Sequence, residues 1–411
     1  MDVIVLGLML LSLTIWLGLL GFWGQFWRTD QQLEVTETQL ESLPVVCAVV
    51  PARNEAQLLP TTLRSLLLQD YPGSFKVFLV DDRSTDQTAN FAEGVAHAVG
   101  KPQQLHIISG ESLPPGWSGK LWAVEQGIKS ASLFAPDYFL LTDADIEHDP
   151  GNLRRLVKKA MQEDLDLVSV MVRLRCESFW EKFLIPAFVF FFQKLYPFRW
   201  VNNPNNPTAG AAGGSILIAR EALERIGGIQ VIRQALIDDC ALAQAVKKSR
   251  GAGEQGRKGY KENNHAPYPM PNQGRIWLGL SSLTRSLRPY DSLATIWDMV
   301  ARTAYTQLNY SPLILLGTLV GMPLIYLTPP VCVILGAVWS NWAIALTGLF
   351  GWLLMTFAYY PTIRFYKCSF WFALSLPAIA FLYTLITLDS ALRHWQGRGG
   401  AWKGRVYHRE R

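Results

Sequence analysis

Disulfide and zinc chemistry are the first things the sequence argues against. Its five cysteines, Cys47, Cys176, Cys240, Cys332 and Cys368, are widely spaced, and none forms a Cys-X-X-Cys pair. Neither a disulfide framework nor a zinc cluster is indicated. No G-x-G-x-x-G follows the first apolar strand, and G-x-x-x-x-G-K-[ST] is absent, which disfavours a dinucleotide-binding dehydrogenase and a P-loop NTPase. The nearest approach, Ser118-Gly119-Lys120, lacks that spacing. Charge is sparse as well, at 17% of the 411 residues. The net charge of +5 resides largely in the C-terminal tail and in residues 247–261. An anionic membrane surface explains it more simply than nucleic acid does, because no nucleic-acid motif accompanies it.

What is abundant is apolar sequence, at 50% of the chain. Residues 3–26 form a run of spanning length with no charge before Arg28. It has no basic n-region and passes through Trp16, Phe22, Trp23 and Trp27, so it reads as an uncleaved anchor and not a signal peptide. Further apolar stretches cover 313–339, 342–360 and 370–388, while 43–302 has ordinary globular composition. Arg28 follows the first span, which predicts a cytoplasmic globular domain in a multi-pass protein of the plasma (inner) membrane. Arg393, Arg398, Lys403, Arg405, Arg409 and Arg411 predict a cytoplasmic tail too. Three full C-terminal spans would put that tail outside, so either one segment is re-entrant or interfacial or the charge rule fails. The expected organisation is an anchor at 1–28, a catalytic domain at 43–260, interfacial helices at 261–310, membrane segments at 311–390 and a basic tail at 391–411. The aromatic and basic residues of 277–308 read as surface-lying helices, and 247–261 as a mobile loop. The apolar run 183–192 is too short to span and reads equally as an interfacial or a buried helix.

Within the globular middle, apolar runs at 45–50, 75–80, 105–108 and 138–141 predict strands. Helical spacing of Leu58, Leu59, Leu63, Leu66 and Leu67, and the stretches 87–99 and 121–131, predict helices between them. This alternation specifies an α/β domain with a mostly parallel sheet covered on both faces. Ligands bind beyond the carboxyl ends of such strands. Asn54 and Glu55, then Asp81 and Asp82, then Asp143 and Asp145 all fall at that rim. In Phe139-Leu140-Leu141-Thr142-Asp143-Ala144-Asp145 the two carboxylates lie at i and i+2 and point the same way on an extended segment. Paired hard oxygen ligands suit Mg²⁺ or Mn²⁺ shared with phosphates. Turn and cap chemistry is the competing account of any one cluster. Lys120, at a helix start, suits a diphosphate, and the small residues from Ala209 to Ser215, with Gly213 and Gly214, allow close approach. Asp238 and Asp239 open another helix, either as dipole-favoured N-terminal acids or as a base whose pKa is raised by its neighbour.

Taken in order, residues 43–242 resemble the inverting family 2 glycosyltransferases of the GT-A fold. The resemblance implies that Asn54, Glu55, Asp81 and Asp82 hold the nucleotide, with Asp82 the base contact. It likewise implies that Lys120 sits near the diphosphate, Asp143 near the ribose or metal, and Asp145 on Mg²⁺ or Mn²⁺. Asp239 falls at the family's catalytic base, while Asp238 stands where the family usually has Glu. The processive members carry Gln-x-x-Arg-Trp; here Gln273-Gly274-Arg275-Ile276-Trp277 has the Arg shifted, which argues against a polymerase. Gly213, Gly214, Asp238 and Trp277 mark the expected acceptor region. The chain as a whole, including Pro115-Gly116-Trp117-Ser118-Gly119-Lys120 and the segment 299–308, resembles the bacterial hopene-associated glycosyltransferases, which implies a polycyclic or polyprenyl lipid acceptor in the bilayer and a nucleotide-sugar donor. The expected reaction is base removal of an acceptor proton by Asp239, inversion at the anomeric carbon, and charge neutralisation of the leaving diphosphate at Asp145. A processive polysaccharide synthase and a non-catalytic membrane scaffold are the rival readings.

Overall fold

The computed structural model describes residues 2–33, 42–253, 274–398, 401–402 and 405–406. The chain opens with α1 (Asp2–Phe22), then runs β1 (Val46–Ala52), α2 (Leu59–Leu67), β2 (Phe75–Asp81), α3 (Thr88–Ala98), β3 (Leu105–Ser109), α4 (Gly119–Ala131) and β4 (Tyr138–Leu141). It continues with β5 (Ile146–Glu147), α5 (Asn152–Gln162), β6 (Leu167–Arg173), α6 (Phe179–Leu195), α7 (Phe198–Val201), β7 (Ile216–Ala219), α8 (Arg220–Arg225), α9 (Asp238–Gly253) and β8 (Ile276–Ser286). The last part is helical: α10 (Leu293–Ala301), α11 (Ala304–Gln307), α12 (Pro312–Met322), a π-helical turn, α13 (Thr328–Val338), α14 (Trp342–Phe365), α15 (Trp371–Leu374) and α16 (Leu376–Trp395).

The strands form one mixed, mostly parallel sheet in the order β3-β2-β1-β4-β7-β6-β8-β5. β1 pairs in parallel with β2 and β4, and β2 with β3, whereas β7 runs antiparallel to both β4 and β6. Every residue of β1 is buried, as expected for a strand covered on both faces. Alternating side chains feed two cores: Cys47 and Val49 face α4 and α6, and Val46, Ala48 and Val50 face α2, α3 and α5. α4 begins at an N-cap, Ser118, whose hydroxyl accepts from Leu121 N–H. It crosses the sheet so closely that a Cβ on Gly127 would lie 2.4 Å from Val49 Cγ1. This topology leaves the carboxyl ends of β1, β2 and β4 on one edge, which is where the acidic clusters lie.

The expected strands and helices of the middle region are present. Two expectations are corrected. Residues 276–286 do not lie on a surface as helix: their apolar alternation makes β8, paired with β6 and β5 inside the sheet. Lys247 is not in a loop but buried on α9, where its ammonium donates to the carbonyls of Val201 and Thr208, both at 2.7 Å. Burial lowers its pKa to about 8, and the carbonyls left open where α7 ends explain what holds it there. Residues 254–273, including Gln273 and the rest of the expected loop, lie outside the described residues.

Among the described residues, four helices are long and apolar enough to cross a membrane: Val3–Phe22, Pro312–Val338, Trp342–Phe365 and Leu376–Trp395. They are not equivalent. Only 17% of the first is buried against protein, whereas half of the last is. α16 packs along the α/β domain, with Tyr383 Oη donating to Leu184 O on α6 at 3.0 Å and Trp297 Nε1 on α10 to Asp389 at 2.7 Å. α6 itself, opened by a Ser178–Glu181 capping box, buries Leu184, Ile185, Val189 and Phe190 in the sheet-side core.

Candidate functional site

The rim residues of β1 and β2 lace two loops together. Asn54 Oδ1 accepts from Thr85 N at 2.9 Å, Asp81 Oδ1 from Ser84 N at 3.0 Å, and Thr88 Oγ1 from Glu55 N at 3.0 Å. Asp82 is fully buried, its carboxylate 3.7 Å from Arg53. Asn54 and Asp81 therefore do the turn work open to such residues. Glu55 instead turns toward a cleft of about 370 Å³ that Lys120, Asp143, Asp145, Asp238, Arg288 and Arg302 also line.

Asp143 and Asp145 reach that cleft because β4 stops at Leu141 and the next residues are pinned. Thr142 Oγ1 donates to Gly214 O at 2.7 Å and lies 3.0 Å from His148 Nε2, whose Nδ1 contacts Asn152. Burial lowers the His148 pKa to about 4, so the ring is a neutral brace at physiological pH. Thr62 Oγ1 donates to Ala144 O at 2.6 Å, and Leu287 N to Asp145 O at 2.9 Å. A main chain tied at successive residues holds both carboxylates in fixed positions.

Lys120 is the hub of the opposite wall. Its ammonium lies 2.9 Å from Asp143 Oδ1 and 3.1 Å from Asp238 Oδ2. Burial works against its charge, but Asp143, Asp238 and Asp239 outweigh that and hold its pKa above the ordinary value. Asp239 accepts from Gly213 N and Cys240 N, each at 2.8 Å. Burial first, and then the neighbouring Asp238, raise its carboxyl pKa to about 6, against Lys120 and the two N–H donors. Asp143 is raised as well, chiefly by burial, with Lys120 opposing. A Cβ on Gly213 would sit 3.5 Å from both Asp239 Oδ2 and Lys120 Nζ, so this glycine keeps the centre of the cluster open.

Sequence reasoning missed Arg288. β5 and β8 pair with Ile146 opposite Ser286, which carries Arg288 onto Asp145 and Glu55. Its Nε donates to Asp145 Oδ2 at 2.9 Å and its Nη2 to Glu55 Oε1 at 2.5 Å, while Ser286 Oγ donates to the same Asp145 oxygen at 3.1 Å. No local signal announces this residue, since the pairing joins segments more than a hundred positions apart. Two expected acceptor residues do not reach the cleft. Trp277 is buried on the α5 side of the sheet, under Lys159, and Gly214 backs onto Val172 and Ile146. Gly213 and Asp238 do converge with Lys120 and Asp143.

Among the described residues no group of three His, Cys, Asp or Glu forms a ready-made metal cage. The charge balance nevertheless fits a divalent cation. Glu55, Asp143, Asp145, Asp238 and Asp239 outnumber Lys120, Arg288 and Arg302, and a diphosphate would add further negative charge. A cation held by one or two carboxylates plus substrate phosphates needs no protein cage.

Residues 47–227 match the family model for Glycosyl transferase family 2. An uncharacterized protein of Methanocaldococcus jannaschii is 32% identical over 124 residues, covering 30% of this chain and 44% of its own. An undecaprenyl-phosphate 4-deoxy-4-formamido-L-arabinose transferase of Enterobacter is 29% identical over 151 residues, covering 35% and 42%. The chain thus spans less than half the length of these curated relatives. The solved mannosyltransferase PcManGT of Pyrobaculum calidifontis, in complex with GDP-Man and Mn²⁺, covers 95% of this chain and 99% of its own, with a TM-score of 0.53 at 17% identity. That likeness shows a shared GT-A-like fold.

Proposed function

Starting from a family 2 glycosyltransferase domain at residues 47–227, we propose that the chain is a membrane-bound inverting transferase. It moves a sugar from a nucleotide-sugar to the hydroxyl of a hopanoid or polyprenyl lipid. The observation that supports this reading is convergence: Asp143 and Asp145, Lys120 and Asp238 come from separate segments onto one cleft at the carboxyl ends of the strands, and Asp239 lines a small recess beside it with Lys120, Asp143 and Asp238.

Glu55 and the laced loops at 53–56 and 81–88 bound the nucleoside side. Lys120 and the open N–H groups at the start of α4 face the diphosphate. Asp145, with Asp143 beside it, would hold Mg²⁺ or Mn²⁺, which when bound supplies a counter-charge for the departing nucleoside diphosphate. Asp239 takes the proton of the acceptor hydroxyl. The oxygen forms its bond to the anomeric carbon from the face opposite the diphosphate, and the bond to the diphosphate oxygen breaks with its electron pair leaving on phosphate. A carboxyl poised near pH 6 is close to the working range of a general base.

On this reading the catalytic domain is cytoplasmic, and contacts at both ends of the last helical segment favour a cytoplasmic tail. At the end of α14, Tyr366 O accepts from Arg173 of β6 at 3.0 Å; near the end of α16, Ser390 Oγ accepts from Tyr305 N at 3.0 Å and Arg393 contacts Asp298 at 2.7 Å. Contacts at both ends of 366–393 to residues outside the membrane segments support a segment that lies in the interface and returns, with the basic tail on the side of the domain. Purified full-length protein incubated with nucleotide-sugars, Mn²⁺ and extracted bacterial lipids tests the activity by mass spectrometry. A single hexose added to a lipid, lost in Asp239→Asn, supports it. Long polymer, or full-rate transfer by Asp239→Asn, defeats it.

A further inference from the structure

The segments 115–120 and 299–308 come together in space although they are far apart in sequence. Between them lies a cavity of about 840 Å³, within the range of small-molecule sites. Ser118, Ala235, Leu236 and Arg302 line both this cavity and the 370 Å³ cleft, so the two are neighbours across one shared wall. At the far end the lining reaches Asn309, Tyr310 and His394, where the Tyr310 and His394 rings stack at 4.5 Å. Three residues past Tyr310, α12 begins to expose a stripe of Leu313, Leu316 and Val320. A molecule seated here would have its head at the cleft and its tail against an apolar helix.

The chemistry of the lining is specific. Among the described residues, Arg302 and His394 are its only Lys, Arg, His, Asp or Glu side chains, and Arg302 is shared with the neighbouring cleft. The rest presents amides, hydroxyls and aromatic faces, among them Gln234, Gln244, Gln307, Tyr196 and Tyr305. Tyr196 Oη donates to Gln307 Oε1 at 2.7 Å, which fixes the amide plane. Forked amides and phenols match vicinal hydroxyls, which both donate and accept. A phosphate headgroup calls instead for clustered guanidinium or ammonium groups.

We propose that this cavity is the acceptor site and that it takes an uncharged, hydroxyl-bearing lipid headgroup and not a lipid phosphate. The proposal rests on the transferase reading above and adds to it the location and charge class of the acceptor. Gln307 and Gln244 hold the head, Arg302 faces the donor phosphates across the shared wall, and the tail leaves along α12.

The test uses the full chain in nanodiscs with a panel of nucleotide-sugars and two probes, 1-O-hexadecylglycerol and farnesyl phosphate. Expected is glycosylated hexadecylglycerol and no sugar on farnesyl phosphate. Gln307→Leu and Gln244→Leu should each raise the acceptor KM about tenfold while the donor KM holds. Transfer to farnesyl phosphate alone would overturn the proposal, as would cavity variants with unchanged acceptor KM. Donor hydrolysis without transfer to either probe would also overturn it, while sparing the transferase reading. No donor turnover and no nucleotide binding would count against the transferase reading itself.

Discussion

Asp239→Asn should make the protein inactive and more stable at once, with a stability gain that depends on pH. In the fold this carboxyl titrates near 6, against an ordinary 3.8. A displacement of that size corresponds to about 3 kcal/mol against the charged form. Because the folded value is raised, the wild-type residue contributes its stability fully below pH 3.8 and loses it as pH rises through about 6. Asparagine carries no charge and escapes that loss. It also gives something up: Gly213 N–H and Cys240 N–H each donate to one carboxylate oxygen, and an amide can accept only one of them. Leaving one N–H facing an NH₂ costs about 1–2 kcal/mol. The balance at pH 8 is about 1–2 kcal/mol in favour of the variant, or a few degrees in unfolding midpoint. At pH 4 the gain has gone and only the mispaired N–H remains, so the order reverses. Thermal unfolding of both proteins in detergent, without donor, at pH 4, 6 and 8 measures this directly. A variant less stable than wild type at pH 8, or a gap that does not move with pH, would refute the assignment of a charge-strained carboxylate at this position.

Gly127→Ala should lower the unfolding midpoint, because its Cβ would meet Val49 Cγ1 at 2.4 Å and Val80 Cγ2 at 3.0 Å. Overpacking of about 1–3 kcal/mol exceeds the helix-propensity gain of about 1 kcal/mol. Gly94→Ala on α3, where nothing lies within 4 Å, is the control and should raise the midpoint. For the tail, a Gln396→Cys protein in a Cys176→Ser, Cys368→Ser background should react with an impermeant maleimide only after cells are opened; labelling of intact spheroplasts would show α16 to be a full crossing.

What was legible in the sequence was whatever depends on neighbours in the chain. β1, β2 and β4 announced themselves as short apolar runs, and their acidic ends followed from a parallel sheet having its ligand edge at the carboxyl termini. Lys120 at the start of α4 and the apolar positions of α2 were likewise local. β8 failed for an instructive reason. Its aromatic and basic content suggested an amphipathic helix, yet Ile276, Leu278 and Leu280 alternate on one face of a strand with Trp277 on the other. Period two and period 3.6 are hard to separate when both faces are buried. Lys247 failed similarly: a basic residue in a Gly- and Lys-rich stretch reads as solvated, and only the fold supplies the carbonyls that bury it.

Arg288 shows why the site itself was only partly readable. The proposed metal pair is a local spacing, but the cation that balances Asp145 comes from strand pairing between Ile146 and Ser286. With both Asp145 and Glu55 engaged by one guanidinium, the carboxylates can be placed together in the absence of metal or diphosphate without leaving buried like charges facing each other. If Asp145 takes the proposed metal role, the same contact sets a condition on turnover. Asp145 has one oxygen committed to Arg288 and Ser286, so a divalent cation binding there competes with the guanidinium for the same carboxylate. A site of this kind binds its metal more tightly when a diphosphate is present to receive the displaced arginine, and more weakly alone.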